Sequence, residues 1–153
     1  NETQIIEFLT SMESNGINAS NDYDDEYGLY NKLYGMNTKS TDYEARTAEY
    51  YDKEKAESYL KKMENLATDK DHFSYLSGCY FEYGNKEKAQ EMINKLKEKI
   101  NLNDVDDAII AICACLESKM TEEANALFNE SSQKLNEEDT ERLKEMTGIE
   151  PTI

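Results

Sequence analysis

Apolar residues recur at intervals of three or four along most of the chain, which predicts a series of short amphipathic helices. The clearest case is a pair of helices at about 70–101. The residues that share a face are Phe73, Leu76, Ser77 and Tyr80 in the first helix and Ala89, Ile93 and Leu96 in the second. Gly84 and Asn85 predict the turn between them, and Thr68 or Asp69 is placed to cap the first helix.

Similar spacing predicts helices in the rest of the chain. The other predicted helices lie at 3–14, at 23–34, at 41–51, after Asp52, at 108–116, after Thr121 and at 137–147. Thr41 and Glu44 have the spacing of a capping box, which favours a helix beginning at 41. Segment 108–116 is apolar almost throughout, so we expect it to be buried on more than one side. The final helix has a thin apolar stripe, which suits the end of an array.

Alanines recur in the second helix of successive predicted pairs. Ala56, Ala89 and Ala124 are separated by 33 and 35 residues. Each is followed four residues later by a larger apolar residue, namely Leu60, Ile93 and Phe128. In the pair at about 70–101, the alanine also follows an aromatic residue, a leucine, a small residue and a tyrosine. This order resembles the tetratricopeptide repeat, a helix–turn–helix unit of about 34 residues.

The resemblance covers about residues 41–135, with one good unit at about 70–101 and two weak ones. Glu44 stands where the family has a small residue, and Asn101 stands where it has proline. The resemblance implies an all-α fold in which antiparallel helix pairs stack as a short right-handed solenoid. An irregular helical bundle is the alternative.

The predicted organisation is a single domain over 1–153. It consists of a divergent N-terminal helix pair at 1–35, the repeats at 41–135, and a C-terminal capping helix and tail at 136–153. The chain begins at Asn1 without methionine, so we expect that a leader, an anchor or another domain preceded it. This expectation leaves the compartment open between the cytoplasm and an exported or anchored location.

Charge narrows the classes of partner. The chain has 33 acidic and 17 basic residues, giving a net charge of -16. A surface of that sign repels phosphate backbones and anionic headgroups, so we expect neither nucleic-acid binding nor direct membrane binding by this segment. Eleven tyrosines and four phenylalanines supply the apolar mass that a disordered chain lacks.

Candidate chemistry is sparse, so we expect no enzyme, cofactor or metal site. The single histidine, His72, is interpreted as a surface or capping residue. Asp22, Asp24 and Glu26 have the spacing of calcium ligands, but the glycine and glutamate that such a loop needs at later positions are absent. The three cysteines are read as buried apolar residues because they lie in predicted helices.

The family resemblance implies a peptide- or protein-binding face formed by the first helix of each pair. The matching residues are Asp71, Ser74, Gly78, Phe81 and Glu82 in one helix and Asp106, Ile109, Cys113, Leu116 and Glu117 in the next. These positions carry acidic and apolar side chains and no lysine or arginine, so we expect a basic or apolar partner. Three candidates could cover the apolar positions: the last helix, the first helix pair or a second copy of the chain.

Two other functions remain open at this point. One is an acidic inhibitor or immunity-type protein that neutralises a basic enzyme by presenting carboxylates. The other is a small-molecule-sensing domain whose site is assembled from dispersed residues. A complex driven by charge weakens strongly as ionic strength rises, whereas binding in an apolar groove does not, so salt dependence separates the inhibitor from the peptide-binding module. An enclosed pocket with convergent polar groups would favour the small-molecule sensor.

Overall fold

The computed structural model describes residues 3, 4, 7 and 26–150. This part of the chain contains seven helices and one two-stranded sheet, so the predicted all-α class is confirmed. The chain divides into two compact units, Asn1–Ala67 and Thr68–Ile153, here called unit 1 and unit 2. Most of the predicted helix at 3–14 and the acidic residues Asp22 and Asp24 lie outside the described residues.

Unit 1 contains a pair of helices joined by a β-hairpin. Helix α1 is Glu26–Asn37, strands β1 and β2 are Thr38–Asp42 and Thr47–Tyr50, and helix α2 is Lys53–Leu66. The helices α1 and α2 pack against each other. The buried residues of this pair are Leu29, Leu33 and Tyr34 in α1 and Ala56, Tyr59, Leu60 and Met63 in α2.

No helix of the described residues is long and apolar enough to cross a membrane.

The predicted helix at 41–51 is wrong, because this segment forms the hairpin. Its strands pair antiparallel, with Asp42 opposite Thr47. The Asp42 carboxylate accepts hydrogen bonds from the backbone amides of Glu44 and Ala45 at 3.1 and 3.0 Å, which stabilises a turn where the sequence predicted a helix start. The threonines of both strands also favour extended backbone over helix.

Long-range contacts close the base of the hairpin. The Tyr34 and Tyr50 hydroxyl oxygens lie 2.6 Å apart. The Asn37 side-chain amide donates to the Asp52 carbonyl at 2.7 Å, and its oxygen accepts from the Asp52 amide at 3.0 Å. Helix α1 runs past Gly35, the predicted stop, to reach Asn37. The partner of α2 is therefore α1, and the first weak repeat lacks the first helix that was predicted for it.

The described residues of unit 2 form five helices. They are α3 at Lys70–Tyr83, α4 at Lys86–Lys99, α5 at Val105–Glu117, α6 at Thr121–Lys134 and α7 at Glu137–Thr147. Helix α3 packs against α4, α5 packs against α6, and α7 packs against both α5 and α6. The Asp69 carboxylate caps α3 by accepting from the His72 amide at 2.9 Å, and Gly84 ends it in the left-handed region, with φ of 102°.

The first helices of successive pairs run parallel. Lys70 at the start of α3 contacts Asp107 at the start of α5. Further along, the Ser118 hydroxyl after α5 donates to the Ser77 carbonyl in α3 at 3.4 Å. Because early residues meet early residues and late residues meet late residues, α3 and α5 lie side by side in the same direction.

The same relation holds between α5 and α7. Arg142 Nη2 lies 2.8 Å from Asp106 Oδ1, and the Cys113 thiol approaches the Met146 carbonyl at 4.0 Å. The Cys113–Met146 contact joins residues 33 apart, as does the bond of 3.2 Å from Gln90 in α4 to Glu123 in α6. Unit 2 therefore consists of antiparallel helix pairs in which residues of one pair contact the equivalent residues of the next pair. This arrangement is compatible with a helical repeat.

The recurring alanines and their apolar companions lie in the cores of the units. Ala56, Ala89 and Ala124 are each fully buried, and so are the larger residues four positions later. A small side chain permits close approach of a neighbouring helix, so these positions explain why the alanines recur.

One buried carboxylate joins three elements of unit 2. Asp107 is 7% exposed. Its Oδ1 lies 2.5 Å from Lys70 Nζ, and its Oδ2 accepts from the Asn101 amide at 2.9 Å. These contacts fasten α3, the loop after α4 and the first turn of α5. The hydrogen bond from Lys70, with that from Asn101, lowers the pKa of Asp107, and the same bond to Asp107 raises the pKa of Lys70.

We expect Asp107→Ala to lower the free energy of unfolding by about 1–3 kcal/mol, because a buried acceptor of two bonds is removed. Asp106→Ala is the matched control. It removes the same charge from the same helix turn, but Asp106 is exposed and its ion pair with Arg142 contributes less than about 1 kcal/mol. Urea unfolding at pH 7 measures both changes. Equal losses in the two variants would contradict the role given to Asp107.

The contribution of Asp107 should also depend on pH. Because folding lowers its pKa, the stabilisation is complete above the unfolded value of about 3.9 and is lost as the pH falls through the folded value. The difference in stability between the wild-type protein and Asp107→Ala should therefore stay constant from about pH 5 to 8 and shrink below about pH 4. A difference that is unchanged at pH 2 would contradict this reasoning.

Candidate protein-interaction surface

Helix α5 is buried on most of its circumference, as its apolar sequence predicts. The buried residues are Asp107, Ala108, Ala111, Ile112, Ala114 and Cys115. The predicted residues Asp106, Ile109, Cys113, Leu116 and Glu117, here called the α5 stripe, all reach solvent. Asp106 and Glu117 are exposed and the three apolar residues are half-buried. Their spacing places them on one side of the helix, with an acid at each end.

The predicted residues of α3 differ more in exposure. Asp71 is exposed, Ser74, Phe81 and Glu82 are half-buried, and Gly78 is buried. Phe81 lies under Lys86, whose ammonium is 6.0 Å from the ring centroid, so its ring faces the turn into α4.

The predicted set lacks Tyr75, whose side chain is 44% exposed. It follows Asp71 by four residues and therefore lies on the same side of α3. That spacing is visible in the sequence and could have identified it. We call Asp71, Ser74, Tyr75, Gly78 and Glu82 the α3 stripe.

Helix α7 covers part of the α5 stripe. Arg142 pairs with Asp106, and the Met146 carbonyl lies beside the Cys113 thiol. Leu143, between them, is fully buried. The sequence left three candidates that could cover the α5 stripe, and the last helix covers one edge of it. The Met146 side chain remains 57% exposed and extends the apolar surface outward.

Charge is unevenly distributed among the helices of unit 2. Helix α5 has three acids and no basic residue, and the first turn of α7 is acidic at Glu137, Glu138 and Asp139. Helix α4 instead carries five lysines, at 86, 88, 95, 97 and 99. The parallel first helices thus provide most of the negative potential, which attracts basic groups and repels phosphate.

His72 and the cysteines have structural roles in this arrangement. The His72 Nδ1 accepts from the Thr68 amide at 3.0 Å, beside the capping carboxylate of Asp69. Cys79 and Cys115 are buried, and burial raises the pKa of the Cys115 thiol to about 12. Cys113 is half-buried, and the same cause raises its pKa. Among the described residues, no three His, Cys, Asp or Glu side chains cluster as metal ligands.

No protein-family model, curated protein or solved structure matches this chain. The function is therefore inferred from the two stripes, their burial and their charge.

Proposed function

We propose that unit 2 is a non-catalytic, tetratricopeptide-like module that binds a basic, amphipathic segment of a partner protein along the α5 stripe and the α3 stripe. The antiparallel pairs, the parallel first helices and the contacts between residues 33 apart support the repeat. The resemblance at Phe73, Leu76, Tyr80 and Ala89 supports the family, since these residues form the core of the best pair.

The observation that carries the binding proposal is the α5 stripe. Ile109, Cys113 and Leu116 are apolar yet incompletely covered, so a partner's apolar side chains would remove further surface from water. Asp106 and Glu117 flank them with negative charge. A segment with lysine or arginine at its ends and apolar side chains between them complements this pattern.

The second candidate is an acidic inhibitor that blocks a basic protein. The net charge of -16 favours it, because such a field steers basic partners over long distances. The two functions differ in the share of affinity that comes from apolar contact. At 1 M salt, charges are screened within about 3 Å. A complex on the α5 stripe keeps the affinity that comes from apolar contact, whereas a purely electrostatic complex loses its affinity.

The first test uses a fluorescent peptide of about twelve residues with lysines at both ends and leucines among polar residues between them. A peptide with glutamate in place of each lysine provides the opposite charge. We expect only the lysine peptide to bind. Glu117→Lys should weaken its binding about threefold to tenfold, because an exposed favourable charge becomes repulsive. Fluorescence anisotropy at several salt concentrations measures the affinity. Glu98→Lys is the matched control, since Glu98 is an exposed residue of α4. Equal weakening by both variants would indicate attraction to net charge alone.

The second test uses the thiol of Cys113. Cys113 should react with N-ethylmaleimide before Cys79 and Cys115, because those two are buried. Its rate should rise about tenfold per pH unit between pH 7 and 9, since its raised pKa keeps the thiolate scarce. Bound lysine peptide should slow the reaction. Mass spectrometry follows the modification, and Cys113→Ser identifies the site. Unchanged labelling with the peptide bound would place the peptide elsewhere.

A further inference from the structure

A small cleft lies where the turn between α3 and α4 meets the turn between α5 and α6. Its volume is about 290 Å³. Phe81 and Met120 supply apolar walls, and Lys86, Gln90, Ser118 and Lys119 supply polar ones. The volume is at the small end of the range for ligand pockets, so it suits a compact molecule.

The charge of this cleft is opposite to that of the protein. Lys86 and Lys119 line it, and none of the described residues that line it is acidic. Most cations of unit 2 pair with acids, as Lys70, Lys97 and Arg142 do. Within residues 26–150, by contrast, neither Lys86 nor Lys119 forms an ion pair. Two unpaired ammonium groups at one cleft are notable in a chain of net charge -16.

Gln90, which lines the cleft, also contacts the carboxylate of Glu123. Gln90 Nε2 donates to Glu123 Oε2 at 3.2 Å, and Lys97 pairs with the other carboxylate oxygen. Both oxygens are therefore engaged within the protein. Among the lining residues that the structure describes, only the two lysines carry a charge, and two positive charges match a dianion.

The backbone at Lys119 adds an independent observation. Helices α3 and α7 both end in a left-handed residue, and in each case it is glycine: Gly84, with φ of 102°, and Gly148, with φ of 72°. The corresponding residue after α5 is Lys119, with φ of 56°. Glycine adopts this conformation without strain and lysine does not. The lysine is therefore present at a cost in stability, which fits a role for its side chain.

Neutral groups complete the cleft. Ser118 is almost fully buried, and its hydroxyl makes only a long bond of 3.4 Å to the Ser77 carbonyl. Lys86 lies over the Phe81 ring at 6.0 Å, so the aromatic face and the ammonium are close together. A ligand with a ring against Phe81 would bring its anionic group close to Lys86, in a cleft that Lys119 also lines.

We propose that this cleft binds a small phosphate monoester that carries an aromatic or other planar group. Lysine ammonium groups are compact donors that suit phosphate, and two of them balance its two negative charges. The planar group packs against Phe81 and Met120. This site is independent of the binding proposed for the α5 stripe.

The probe is phenyl phosphate, titrated into the full chain and followed by two-dimensional ¹H–¹⁵N NMR. We expect the largest shifts at the amides of Phe81, Lys86, Ser118, Lys119 and Met120. Phenol, benzoate and inorganic phosphate are the comparison ligands. Each should bind at least about fivefold more weakly, because each lacks the phosphate, one negative charge or the ring.

Two variants test the lysines. Lys86→Gln should weaken phenyl phosphate binding about fivefold. Lys119→Gly should weaken it similarly while raising Tm by about 1–4 °C, because the strain at φ of 56° is relieved. Lys99→Gln is the matched control, since it removes the same charge from an exposed position of α4 outside the cleft.

Several results would overturn the proposal. They are the absence of shifts at 10 mM phenyl phosphate, equal weakening by Lys99→Gln, and binding of benzoate, phenol or inorganic phosphate as tight as that of phenyl phosphate. Lys119→Gly is expected to be more stable than the wild-type protein, so weaker binding by this variant cannot be attributed to misfolding.

Discussion

The carboxylate of Asp107 holds together the part of unit 2 that carries both proposed sites. It receives the Lys70 ammonium from α3 and the Asn101 amide from the loop after α4. Burying this charge is costly unless it is paired, and here both oxygens have partners. The pairing joins the first turns of α3 and α5, and with the bond from Ser118 to Ser77 it is consistent with their common direction. That direction places the two stripes on neighbouring helices and brings the α3–α4 turn beside the α5–α6 turn.

The two proposed sites use opposite charges within one small unit. The α5 stripe joins half-buried apolar residues to exposed acids, whereas the cleft joins Phe81 and Met120 to two lysines. Because exposed charges are screened over about 10 Å at 0.1 M salt, the two kinds of potential can coexist in one unit. The two proposals, a basic protein segment at one site and a small anion at the other, are therefore compatible.

The sequence predicted the parts of the fold that local interactions determine. Asp69, Gly84 and Asn85 cap or end helices through bonds to nearby residues, so the pair α3–α4 could be predicted from sequence. The hairpin could not, because Thr41 and Glu44 satisfy a helical pattern. The bonds that favour the hairpin join Tyr50 to Tyr34 and Asp52 to Asn37, which are 16 and 15 residues apart in the sequence. The family resemblance indicated the residues of the α5 stripe, but their partial cover by Arg142 and Met146 depends on tertiary packing. The cleft was missed because Lys86 and Lys119 belong to different turns.

The contacts at the base of the hairpin fix the distance between α1 and α2. That distance therefore does not depend on how many residues join the two strands. The bonds between Asn37 and Asp52, with the Tyr34–Tyr50 contact, fix where the two helices meet the sheet. Tyr43, at the tip, is 76% exposed. Since the entropy of closing a loop grows only slowly with its length, added residues at this tip leave the base intact. The tip of the hairpin is therefore a permissive position at which unit 1 can accept an inserted peptide.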